Sequence, residues 1–286
     1  MANLSVTQDW ITQMISDFCA GADNRIGEAS SEPAWDSPLV GFSSGGDPLY
    51  VQYKEAVGPF HWTPLEAFRS AYPDAQAAPD ELTVISWVLP QTPATKLDNA
   101  AQTQFPAERW ARTRIYGERV NTQLRRHVVE QLHAVGVDAV CPVLLPQWKV
   151  VDSEAYVWAA TWSERHAAYA SGLGTFGLCD GLITSRGKAM RAGSVIGRLR
   201  LPPTPRPYVD HHAYCLYFSE GTCGRCIDRC PVGAITFAGH DKRLCSAHLD
   251  RTREFVQRNY GFDGYGCGLC QTGVPCESHI PTAADL

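Results

Sequence analysis

Eight of the chain's eleven cysteines fall within residues 215–276, the last quarter of a 286-residue sequence. The densest stretch, Cys223-Gly224-Arg225-Cys226-Ile227-Asp228-Arg229-Cys230-Pro231, is a C-x2-C-x3-C-P run. Cys215 precedes it, Cys245 stands alone, and Cys267-Gly268-Leu269-Cys270 is followed by Cys276. The count is two sets of four, enough for two [4Fe-4S] clusters. A cubane presents four irons at tetrahedral corners, so a C-x2-C pair reaches two corners from one turn of chain. A cysteine from far along the sequence then closes the cage. Pro231 stops the turn and removes an N–H.

The spacing departs from the run that serves two cubanes in bacterial ferredoxins, C-x2-C-x2-C-x3-C-P, in which the cysteine before proline ligates the other cluster. The first cysteine of that run would fall at Glu220. Cys215 lies five residues further back, and the insertion containing Gly221 can loop out to let it reach the same iron site. Zinc also favours C-x2-C pairs, but its sites rarely carry the x3-C-P ending or interleaved distant ligands. A disulfide framework belongs to short secreted chains, and this one is long without a secretory signature.

Length allows roughly two domains. An apolar fraction of 44% is ample for a packed core. A net charge of −5 argues against general nucleic-acid binding by phosphate neutralisation. No run of eighteen apolar residues exists to cross a membrane, and residues 1–5 show no basic n-region, apolar h-region or twin arginines. A cytoplasmic protein with thiolates available to iron is the consistent expectation. Cys19 and Cys141 sit in apolar stretches and read as small buried hydrophobes.

Along the chain, residues 7–19 place Trp10, Ile11, Met14, Ile15 and Phe18 on one helical face behind a Thr7 cap. A short strand is expected near residues 39–42. Thr63-Pro64 opens a helix, and residues 83–89 form a β-branched strand. Residues 107–133 read as one long helix ended by Gly136, whose arginines 112, 114, 119, 125 and 126 form a solvated face. Residues 138–145 read as a second buried strand. A short helix over 163–170 leads into Gly172-Leu173-Gly174-Thr175-Phe176-Gly177. This is G-x-G-x-x-G in letters, but a helix precedes it and a strand at 182–184 follows it, so no dinucleotide site is implied. These glycines instead permit close backbone approach, to a neighbouring strand or to a ligand. Arg186-Gly187 should turn, and residues 193–201 should pair back as a strand. The proline-rich residues 201–207 are stiff and mark the domain boundary. A helix over 247–259 follows in the cysteine-rich part.

Two stretches together resemble a known family. Residues 164–177, Glu164 through Ala170-Ser171-Gly172-Leu173-Gly174-Thr175-Phe176-Gly177, resemble the L-E-x5–6-A-G-L-G-W-x-G segment of epoxyqueuosine reductases. The cysteine groups, with Asp241-Lys242-Arg243-Leu244-Cys245 and Tyr265-Gly266-Cys267-Gly268-Leu269-Cys270-Gln271, resemble that family's C-terminal ferredoxin module, an architecture also found in reductive dehalogenases. The resemblance runs from residue 155 to the end. It implies an α+β chain: a nitroreductase-like α/β N-terminal domain over residues 1–206, followed by a bacterial two-[4Fe-4S] ferredoxin-like domain over 207–286. Carried over by residue, Cys215, Cys223, Cys226 and Cys276 would bind one cluster, and Cys230, Cys245, Cys267 and Cys270 the other. The N-terminal domain would hold cobalamin near Gly172, Gly174, Gly177 and Cys179.

This sequence also departs from the family. Its catalytic Asp falls at Trp158, the Lys after G-W-x-G falls at Leu178 beside Cys179, and the last cysteine group is spaced x5 rather than x3. A divergent iron–sulfur oxidoreductase is therefore expected, passing single electrons from an external donor (ferredoxin, flavodoxin or a reductase) to cobalamin, a corrinoid or a small-molecule substrate. The alternative is an electron-transfer or corrinoid-reducing partner protein without its own turnover.

Overall fold

The computed structural model describes residues 6–154 and 156–286; the leader-free reading of residues 1–5 lies outside the described residues. The chain is mixed helix and sheet. Its centre is a four-stranded antiparallel sheet, in the order Leu39–Ser44, Thr83–Pro90, Met190–Gly197 and Ala139–Val140. Every residue of Thr83–Pro90 is buried, because helices cover both faces of the sheet. Strand alternation sorts its side chains between two cores. Val84 and Val88 pack with helices Leu49–Ala56, Pro64–Ala71 and Glu164–Ala170, whereas Ile85, Trp87 and Leu89 pack with helices Gln8–Ala20 and Glu118–Ala134.

Local chemistry sets the helix starts. The Thr7 hydroxyl accepts from the Trp10 N–H, and Thr63 and Glu66 form a reciprocal capping box with Pro64 at the first helical position. Cys19 and Cys141 are buried in the second core, and burial pushes both thiols up to about 12.

Several features differ from expectation. Residues 108–134 are helical, but a π-turn at Thr113–Gly117 interrupts them. Trp35 presses on Gly117 there and donates its indole N–H to the Gly117 carbonyl at 3.0 Å. The expected strand at 138–145 stops after Val140, since Pro142 has no N–H for the ladder and begins a 3-10 turn instead. The strand expected at 193–201 starts at Met190, ends at Gly197, and pairs with Thr83–Pro90 rather than with residues 182–184. Arg125 leaves the solvated face and lies 4% exposed, bridging Glu118 at 2.9 Å and Glu164 at 3.2 Å. Glu164 also accepts from the Ser194 hydroxyl. Removing one partner of such a buried pair costs about 3–5 kcal/mol.

Residues 201–207 run extended along the surface, where the Thr204 N–H donates to the Phe42 carbonyl at 2.8 Å. Beyond them lie short helices Leu216–Glu220 and Arg225–Asp228, the hairpin Ile235–Thr236/Gly239–His240 and helix Lys242–Tyr260. That last helix begins five residues before the expected 247, because Asp241 caps it through the N–H groups of Arg243 and Leu244. Cys245 therefore rides its first turn. This portion is stitched to the rest: Asn99 donates to the Cys267 carbonyl at 3.2 Å, and the Arg229 guanidinium donates to the carbonyls of Gln102 and Asn99.

Candidate cluster sites and the adjoining cavity

The eight C-terminal cysteines line two separate cavities, four in each. Around the first stand Cys215, Cys223, Cys226 and Cys276, walled by Leu178, Ile183, Lys188, Val274 and Pro281. Cys215 caps helix Leu216–Glu220, and Gly221 at φ +68 turns the chain back toward Cys223. That turn is the loop-out of the inserted residues, while Glu220 is exposed on the last turn of the helix. Cys226 lies in the helix Arg225–Asp228. Cys276 arrives from the C-terminal loop, where its carbonyl accepts from the Lys188 N–H at 2.9 Å.

Around the second cavity stand Cys230, Cys245, Cys267 and Cys270. Gly268, between the last two, sits at φ +64, where a Cβ would land inside the Trp110 indole. Among the described residues no three His, Cys, Asp or Glu side chains converge tightly enough for one metal ion. The ligands of a cubane need not converge on one ion, because its irons occupy separate corners.

Cys179, 7% exposed, packs in one buried cluster with Cys226 of the first group and Cys270 of the second. The neighbouring Cys226 and Cys270 thiols hold its thiol well below the usual range against burial, and Lys188 Nζ at 3.4 Å adds to the effect.

The second cavity encloses about 430 Å³ and extends past the cysteines to Trp35, Trp110, Arg114, Trp158, Arg165, Asp180, Arg191 and His240. Its walls are cationic. Burial pushes Arg191 down to about 10, with Arg114 adding to it, although Glu118 lies 3.1 Å away. Arg114 stacks over the Tyr265 ring. Asp180, itself at φ +59, receives His240 at 3.1 Å and Lys242 at 4.0 Å. The hydrogen bond to Asp180, with the neighbouring Cys245 adding to it, raises His240 to about 10.

Trp158 stands at the lip of this cavity, 38% exposed, on the hairpin Val150–Ser153/Val157–Ala160. Its carbonyl accepts from Lys242 at 3.4 Å. The glycine turn is placed differently. A Cβ at Gly174 would overlap the Ile183 carbonyl, and one at Gly172, which has φ +77, would sit 2.7 Å from the Pro205 carbonyl. The close approach of these two is therefore to the chain's own backbone. Gly177 lines the first cavity.

Sequence reasoning missed Lys188, Asp180, His240 and Arg191. Asp180 directly follows Cys179 and His240 directly precedes Asp241-Lys242, so adjacency was the only signal available.

No family model matches the chain. Among curated proteins, the epoxyqueuosine reductase of Bacillus anthracis is 34% identical over 119 residues, covering 40% of this chain and 29% of the relative. That of Bacillus cereus matches to the same extent. The resemblance to epoxyqueuosine reductases holds. The matched stretch spans under a third of these relatives' length. Among solved structures, epoxyqueuosine reductase from Bacillus subtilis is 17% identical with a TM-score of 0.49, covering 96% of this chain and 68% of that one. A structure of epoxyqueuosine reductase with an epoxyqueuosine-modified tRNA stem loop gives the same identity and TM-score. Among the described residues no helix is long and apolar enough to cross a membrane.

Proposed function

We propose that the protein is an iron–sulfur oxidoreductase in which two [4Fe-4S] clusters pass single electrons to a ligand held in the cationic cavity. Cys215, Cys223, Cys226 and Cys276 hold the first cluster. Cys230, Cys245, Cys267 and Cys270 hold the second. The observation that carries this reading is the sorting of eight cysteines into two cavities of four, with the second set opening onto a ligand-sized space. The cavity of about 430 Å³ takes in the second set of thiols and runs on to Arg114, Trp158 and Arg165, so a cluster there would leave part of it for a ligand within electron-transfer reach. A simple carrier has no use for such a space. Residues 1–206 supply its far wall as an α/β domain, and residues 207–286 supply the clusters as a ferredoxin-like domain.

The clusters supply one-electron reducing power, which an external donor replenishes. The chain's own residues do the rest. Arg114, Arg165, Arg191 and Lys242 favour an anionic or electron-rich ligand, and the indoles of Trp35, Trp110 and Trp158 offer flat apolar faces. At about 430 Å³ the cavity is smaller than cobalamin, which would have to lie partly outside it.

Trp158 stands where the related enzymes carry a catalytic aspartate. Its indole N–H donates a hydrogen bond but not its proton. General acid catalysis contributes about two to four powers of ten where it operates. The reduced protein, with cobalamin added, should therefore turn over epoxyqueuosine in tRNA at a negligible rate in single-turnover assays, and Trp158→Asp should not restore it. Robust wild-type turnover would assign the proton to another group lining the cavity, such as Asp180 or Cys179, and would overturn the divergence at Trp158.

A further inference from the structure

The septum between the two cysteine cavities holds a buried cation that neither set of four needs. Lys188 is 3% exposed and lines the first cavity. Its ammonium lies 3.4 Å from Cys179 Sγ, and Cys179 lines the second cavity. Among the described residues, no carboxylate lies within ion-pair distance of Lys188. A buried charge without a partner is costly, so its retention calls for a negative charge nearby.

The chain builds this position firmly. Thr184 and Gly187 close a turn in which Gly187, at φ +80, runs so close to the Glu277 backbone that a Cβ there would overlap it. The next two N–H groups, of Lys188 and Ala189, donate to the carbonyls of Cys276 and Glu277 at 2.9 and 3.3 Å. The aliphatic stem of Lys188 lies along Gly181, where a Cβ would sit 3.5 Å from its Cδ. The ammonium is thereby aimed at Cys179, which packs against Cys226 of the first set and Cys270 of the second.

The consequence follows once the two-cluster reading above is adopted, on which this step rests. A cubane with four thiolates is an anion, and reduction adds a further negative charge. A fixed buried cation stabilises the reduced form more than the oxidised one, and solvent screens it little. Hydrogen bonds and charge near the sulfurs are among the protein's means of setting cluster potential. The geometry points to Lys188 and Cys179 as a polar bridge between the clusters, with Lys188 the counter-cation that raises the potential of both and Cys179 the thiol that holds it, a ligand to neither.

The test is an EPR-monitored redox titration of anaerobic wild type, Lys188→Met, Lys188→Arg and Cys179→Ala, with iron and sulfide measured on each. Lys188→Met should keep wild-type iron and shift both midpoints negative. Lys188→Arg should stay near wild type, and Cys179→Ala should keep its iron with a smaller negative shift. Should Lys188→Met fail to load, Lys188→Gln carries the same comparison. Unchanged midpoints, a shift in one cluster only, or iron loss in Cys179→Ala would overturn the bridge. Wild type lacking iron and sulfide would instead overturn the two-cluster reading beneath it.

Discussion

Gly268→Ala should remove the second cluster and leave the first. Gly268 lies between Cys267 and Cys270 at φ +64, in contact with the buried Trp110 indole. An alanine there bears about 1–2 kcal/mol for the left-handed backbone, and overpacking against the indole adds about 1–3 kcal/mol. The loop has little room to yield. The Cys267 carbonyl accepts from Asn99, which is fully buried and also bonds Thr272. Relief therefore moves the two thiols on either side of the glycine. Iron should fall to about four per chain, with one EPR signal lost and the other unchanged. A full iron complement in Gly268→Ala would show that the loop can shift without moving its thiols.

The second large effect distinguishes Cys215 from Glu220. Cys215 is buried in the wall of the first cavity, whereas Glu220 ends the same short helix in solvent. Cys215→Ser should leave a labile three-iron species, visible by EPR after mild oxidation, and Glu220→Ala should leave both clusters intact. The reverse pattern would make the carboxylate the ligand and would mean that the helix unwinds when iron binds.

Much of this arrangement was legible in the sequence because its determinants are local. Thr7 and Thr63 cap helices through atoms three residues away, and the β-branched run at 83–89 reads as the buried strand it is. Cys215, Cys223, Cys226 and Cys276, the set that the resemblance implied, line one cavity. What escaped was tertiary. Arg125 reads as one more arginine on a polar helix face until Glu164, thirty-nine residues on, is brought against it. Lys188, just past the expected Arg186-Gly187 turn, carries no local signal and is placed only by the Glu277 backbone closing over Gly187. The π-turn at Thr113–Gly117 depends on Trp35, eighty-two residues from Gly117. The Gly172–Gly177 turn was legible as a place of close approach, but its partners, Ile183 and Pro205, were not.

The central claim is that the two sets of four thiols hold two cubanes, and the most direct measurement is the metal and acid-labile sulfide content of anaerobically purified protein, read with its visible and EPR spectra. The account predicts a brown protein with about eight iron and eight sulfide per chain, giving two reducible signals. A colourless protein with one or two zinc ions per chain and no sulfide would contradict it.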